Sequence, residues 1–175
     1  MLNPYSQNII FLDTEFSDLD PYQGEILSLG MVKPNGDELY LEIEHKGEIS
    51  DWVKKNVLPY FTGPAIPREE AKSIIKDFVG PDSPYLVSYV NQFDIIYWYK
   101  LFTIEGQPAY WIPIDFASIL FGYGLNPSGL SDRKFLADIE IDISQYRKHH
   151  ALDDAKLLKE AYIKFFEKYG RQSGN

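Results

Sequence analysis

Four acidic residues and a histidine carry the chemistry open to this sequence. Asp13 and Glu15 stand two apart in Asp13-Thr14-Glu15-Phe16, directly after the apolar run Ile9-Ile10-Phe11-Leu12. On a strand, that spacing projects both carboxylates from one face. Two like charges so placed repel each other unless a cation held by oxygen ligands lies between them. The pair taken alone equally suits a strand end that faces water. Asp94 follows a second apolar run, Tyr85-Leu86-Val87-Ser88-Tyr89-Val90, at a bend into a helix. The end of a strand entering a helix is where α/β folds place active sites, although an aspartate there also suits a helix N-cap.

The last long helix separates two adjacent aspartates. Helical steps from Asp154 reach Leu157, Leu158, Ala161 and Phe165, whereas steps from Asp153 reach Lys156, Glu160, Lys164 and Glu167. Asp154 is therefore predicted on the inward stripe, where a charge needs a partner or a metal, and Asp153 on the solvated face. His149 and His150 precede this helix. If the helix already includes His150, that ring stacks above Asp154 at the four-residue spacing, so periodicity leans toward His150. Phe16, beside the paired acids, suits either a base-stacking contact or core packing. Among the basic groups Lys54-Lys55, Arg68, Arg133-Lys134 and Arg147-Lys148, the last stands beside the histidines and is the best placed to meet a phosphate.

The elements that must position these residues are also legible. Ile9 to Phe16 reads as a central strand buried on both faces, and Glu25–Lys33 and Glu38–Glu44 as two more. Pro34-Asn35-Gly36-Asp37 is a hairpin turn, so the first three strands form an antiparallel meander. A short helix capped at Ser50-Asp51 runs through Trp52, Val53 and Val57, and a second begins at Pro67 and ends at Gly80. Tyr85–Val90 reads as strand four, Phe93–Phe102 as a helix and Trp111–Asp115 as strand five. A loop containing Gly122, Gly124, Pro127 and Gly129 then leads to a short helix through Phe135 and Leu136, followed by the long helix to Tyr169. A meander followed by alternating helices and strands indicates an α/β fold with a mixed sheet.

Composition sets the outer bounds. The 175 residues are 45% hydrophobic and 25% charged, which suits one globular domain and excludes disordered and collagenous classes. The absence of cysteine excludes a disulfide framework, a thiol nucleophile and a cysteine-held zinc. No apolar stretch reaches the roughly 20 residues of a membrane span, and Met1–Ser6 lacks a secretion signal, so a cytoplasmic location is expected. With 17 Lys+Arg against 26 Asp+Glu the net charge is −9, which argues against a broad basic surface for coating nucleic acid.

Taken together, the motifs carry a resemblance. Asp13-Thr14-Glu15-Phe16 resembles the first motif of the DEDDh 3′→5′ exonucleases, and Asn91-Gln92-Phe93-Asp94 resembles the second. His149-His150-Ala151-Leu152-Asp153-Asp154-Ala155 is similar to the third, a histidine five residues before an aspartate. The resemblance implies an RNase H-like fold with a mixed five-stranded sheet flanked by helices, an exonuclease domain over residues 1–170, and a frayed tail over 171–175. It implies that Asp13, Glu15, Asp94 and Asp154 hold two Mg²⁺ ions (Mn²⁺ being an alternative) and that His149, rather than His150, is the general base. Thr14, Phe16 and Arg147 are the expected substrate contacts. The nearest likeness, through Asp13–Phe16 and Asp51–Pro59, is to the bacterial RNase AS type. That likeness implies an exoribonuclease acting on adenylate-rich single-stranded RNA 3′ ends as a homodimer. A DNA exonuclease of the same fold and a non-catalytic nucleic-acid-binding module are the rival readings. With four of the acids as ligands, two bound Mg²⁺ ions would bring the charge to about −5. That balance suits a short grip on a 3′ end rather than coating of a long strand.

Overall fold

The computed structural model describes Pro4 and residues 6–170, and the tail expected over 171–175 lies outside them. β1 (Ile9–Phe16), β2 (Ile26–Val32) and β3 (Glu38–Glu42) form the expected antiparallel meander. Gly36 closes the β2–β3 turn at φ +100°, with the Asp37 N–H donating to Asn35 Oδ1 at 3.0 Å. β4 (Tyr85–Ser88) runs parallel to β1 on its other side, and β5 (Ile114–Asp115) extends the sheet parallel to β4. The order β3-β2-β1-β4-β5 makes β1 the centre of a mixed five-stranded sheet.

Six α-helices are described: α1 (Asp51–Asn56), α2 (Arg68–Val79), α3 (Gln92–Leu101), α4 (Phe116–Gly122), α5 (Arg133–Asp138) and α6 (Ala151–Tyr169). The period-two alternation of β1 sorts them into two layers. Ile9 and Phe11 pack with Phe116, Phe135, Leu158 and Phe165 of α4, α5 and α6, whereas Ile10 and Leu12 pack with Ile75 and Trp98 of α2 and α3. Both faces of β1 are thereby covered, as its unbroken apolar run requires. Among the described residues no helix is long and apolar enough to cross a membrane.

Three local expectations needed correction. Strand four stops at Ser88, because Val90 adopts φ +56°. Strand five is only Ile114–Asp115, and Trp111 lies outside it. A helix that the sequence reading lacks, α4, lies between strand five and the glycine loop and takes in Gly122. Asp115 caps it by accepting the Ser118 N–H at 2.9 Å, and Phe116, Ala117 and Leu120 are buried. Glycines at 122 and 124 mask in the sequence a helix that burial of these apolar groups holds.

Candidate active site

The site forms where α6 begins over the end of β1. Gly30 of β2, directly opposite Asp13, makes this meeting possible. A Cβ at Gly30 would lie 2.3 Å from the backbone carbonyl of Ala151, so any side chain would push the start of α6 off the sheet. Asp13 and Glu15 share the β1 face that α6 covers, and Asp154 enters from the first turn of α6. Asp94 comes from the first turn of α3, beyond β4.

All four predicted carboxylates therefore line one cavity of about 790 Å³, together with His149. Glu15, His149 and Asp154 each offer a ligand atom within 4.8 Å of the others. Asp94 is held by Thr14, whose N–H and hydroxyl both donate to Asp94 Oδ1, at 2.9 and 2.8 Å. Thr14 also lines the cavity, but its buried hydroxyl is committed to positioning this carboxylate.

The two histidines divide their roles. α6 begins at Ala151, so His150 is its N-cap rather than its first turn, and the stacking over Asp154 suggested by periodicity does not occur. The His150 ring is buried against Tyr40, with centroids 4.5 Å apart and planes 21° apart. Its Nδ1 accepts a long 3.4 Å hydrogen bond from the Asp153 N–H. His149 instead faces the carboxylates. It sits at φ +62°, a left-handed conformation uncommon for a residue with a Cβ, and its own N–H donates to Asp154 Oδ2 at 2.9 Å. Trp52 of α1 places its ring edge-on to the imidazole at 4.9 Å. The sequence gives no cue to this neighbour, because Trp52 reads there only as a member of the short helix capped at Ser50-Asp51; it is 54% exposed and lines the cavity.

Electrostatics mark the cluster as unsatisfied. Burial first, and then the charges of Asp94, Asp154 and Glu15, raises Asp13 well above the usual carboxylate range. Burial, followed by Asp154 and Asp94, pushes Glu15 up to about 8. Asp94 is raised to about 7 by burial, against the two Thr14 hydrogen bonds. Asp154 is raised to about 6 by burial, against the His149 N–H. No Lys or Arg among the described residues forms a salt bridge with any of the four. Acids clustered without a salt-bridge partner either take up protons or bind cations. An oxygen-rich donor set matches hard divalent ions such as Mg²⁺ and Mn²⁺, so the residues present fit the expected metal. His149 moves the other way. Burial, and then Lys148, lowers its pKa, which leaves the imidazole neutral at pH 7.

The remaining expected contacts are placed as follows. Phe16 stacks on Tyr97 at 4.4 Å with 12° between planes, and against Phe93 at 5.7 Å, while one side of it lines the cavity. Arg147 is not brought into the cavity lining. Its Nε donates to Asp153 Oδ2 at 2.7 Å, and the guanidinium also reaches the His150 ring at 3.2 Å. Asp153, expected to be freely solvated, is largely covered by this ion pair, with 13% of its side chain exposed.

No protein-family model and no curated protein matches the sequence. Solved structures do match in shape. One of exonuclease I superposes with a TM-score of 0.70 at 14% identity, covering 93% of this chain and 41% of that one. The fold is RNase H-like. Escherichia coli exonuclease I in complex with a dT13 oligonucleotide gives a TM-score of 0.67 at 14% identity, over 94% of this chain and 42% of that chain. A 3′-exonuclease that recognises the histone mRNA stem-loop gives 0.65 at 14% identity, over 92% and 82% of the two chains. This chain thus spans about two-fifths of exonuclease I and about four-fifths of the histone mRNA enzyme. A zinc-bound form of the exonuclease I–single-stranded DNA complex also matches, with a TM-score of 0.66 at 13% identity.

Proposed function

We propose that residues 1–170 form a metal-dependent 3′→5′ exonuclease domain that hydrolyses the last phosphodiester bond of single-stranded RNA and releases 5′-mononucleotides. The observation that carries this reading is the convergence of Asp13, Glu15, Asp94 and Asp154 with a neutral His149 in one cavity, where none of the acids forms a salt bridge with a Lys or Arg among the described residues. Likeness in fold to exonuclease I and to the 3′-exonuclease that recognises the histone mRNA stem-loop adds to it. The RNase AS-like segments Asp13–Phe16 and Asp51–Pro59 favour RNA, adenylate-rich ends and a homodimer.

Asp13, Glu15, Asp94 and Asp154 would hold two divalent ions, Mg²⁺ or Mn²⁺, which when bound supply an activated water and stabilise charge on the leaving oxygen. The protein's own groups do the rest. A ring nitrogen of His149 accepts the proton of the attacking water, a role that requires the neutral imidazole. Asp154 fixes the backbone of that base through the His149 N–H, so one carboxylate serves both metal and base. Thr14 keeps Asp94 aimed into the cavity. Trp52 limits the rotation of the imidazole.

A single-stranded DNA exonuclease is the second reading, favoured by the dT13 and dA16 complexes of exonuclease I. A non-catalytic binding module is the least supported, because four clustered acids with no salt-bridge partner among the described residues cost stability that a module without metal has no reason to sustain. Matched RNA and DNA oligonucleotides labelled at the 5′ end, incubated with and without Mg²⁺, decide between the three. The expected result is Mg²⁺-dependent shortening of RNA from its 3′ end, lost in Asp13→Ala and His149→Ala. Wild-type rates in either variant would sink the proposal.

A further inference from the structure

An acidic protein that binds a polyanion needs a local source of positive charge, and the described residues restrict where it lies. Lys54 is paired with Asp51 at 3.1 Å, Arg68 with Glu25 at 3.9 Å, and Arg147 with Asp153 at 2.7 Å. Lys72, Lys156, Lys164 and Lys168 are likewise each held by a carboxylate. Of the described Lys and Arg side chains, only Arg133 and Lys148 line the cavity, and neither forms a salt bridge among the described residues.

Their placement is built rather than incidental. Arg133 is the first residue of α5, whose start is fixed by Asp132 Oδ1 accepting the Lys134 N–H at 2.8 Å. The buried side chains of Phe135 and Leu136 anchor the same helix against the core. The Arg133 guanidinium is thus exposed on a held backbone. Lys148 immediately precedes His149 on the loop entering α6, and its charge is felt by both His149 and Asp154. The two cations come from different elements around one acidic floor.

We infer that Arg133 and Lys148, and not Arg147, are the side chains that grip the phosphate backbone of a single-stranded substrate as it enters the cavity. The inference rests on the exonuclease reading of the site and adds the residues that hold its strand. Both contacts go to phosphate, so they are blind to base identity. Arginine offers a planar fork to phosphate oxygens and lysine a single point charge, so both suit the role in different geometries.

Salt dependence of binding tests this directly. For single strands, log K falls with log salt by about 0.7 for each neutralised phosphate. The probe is a short 5′-fluorescein RNA oligonucleotide whose last linkages are phosphorothioates, with Mg²⁺ present and anisotropy as the readout. Arg133→Gln and Lys148→Gln should each flatten the slope by about 0.7, and the double variant by about 1.4. Arg133→Lys and Lys148→Arg should restore most of the slope, which a merely structural defect would not allow. Lys55→Gln and Lys134→Gln remove the same charge from exposed positions outside the cavity lining and should leave the slope unchanged. An unchanged slope in the double variant, or an equal loss in the Lys55 and Lys134 controls, would overturn the assignment. Degradation of an unmodified oligonucleotide by the wild type, run in parallel, keeps the readings apart. Binding with the expected slopes but without cleavage removes the exonuclease reading and leaves the phosphate grip standing.

Discussion

Removing one acid from the cluster should stabilise the metal-free protein, and Glu15→Gln is the sharpest case. Glu15 is 8% exposed, and its pKa rises from 4.5 to about 8, through burial first and then Asp154 and Asp94. A carboxyl group whose folded-state pKa is raised favours the fold below its unfolded value. That advantage is lost as pH climbs through the folded value. At about 1.36 kcal/mol per pH unit, the folded state is penalised by about 3 kcal/mol at pH 7, approaching about 5 kcal/mol above pH 8. Near pH 5 the penalty is under about 1 kcal/mol, because little of the interval has been crossed. Glutamine keeps the shape and removes the titration. With roughly 2–4 °C of Tm per kcal/mol in a domain of this size, Glu15→Gln should melt about 6–12 °C above wild type at pH 7 in EDTA. The two curves should converge toward pH 5. Mg²⁺ should raise the Tm of the wild type and do little for the variant. Thermal unfolding by circular dichroism at several pH values, with and without Mg²⁺, reads all of this. Melting curves that stay parallel from pH 5 to 8 would refute the claim that these acids are unpaired and mutually repelling.

His149→Ala should lower kcat by about 10²–10⁴-fold with the fold intact, whereas His150→Ala should lower Tm and leave the kcat of the folded fraction within a few-fold; stopped-time RNA degradation and melting curves separate the two. Mg²⁺ affinity should tighten from pH 6 to 8, as Asp154, Asp94 and Glu15 shed protons around 6, 7 and 8, and calorimetric titration at three pH values measures it. Gly30→Ala should cost about 1–3 kcal/mol or more and most activity, because its Cβ collides with the Ala151 backbone; denaturant unfolding at equal or higher stability would contradict the close approach of α6.

Much of the fold is written in local patterns. The apolar run before Asp13, the Asn35-Gly36 turn and the alternation across it are short-range signals, and the β1–β2–β3 meander forms where they indicate. Asp154 was separable from Asp153 because helical periodicity says which face a residue occupies once a helix is assumed. Periodicity fails at the point where the helix begins, and the two histidines lie there. A shift of one residue in that boundary moves a side chain by about 100° around the axis. Backbone conformation at 149 and the packing of Tyr40 on His150 decided it.

The sequence by itself determined the chemistry: which carboxylates exist, their spacing along strand and helix, and the hard divalent metal they suit. Those properties follow from residue type and local geometry, which a chain carries wherever it folds. Only the tertiary structure decided how the groups meet. Gly30 lets α6 press onto β2 beside Asp13, Thr14 turns Asp94 inward from eighty residues away, and Trp52 reaches His149. It also took Arg147 out of the cavity and left Arg133 and Lys148 lining it. The reason is physical. An exposed cation has no periodicity to betray its partner, and which acid captures it depends on distances that the chain sets only when its layers close.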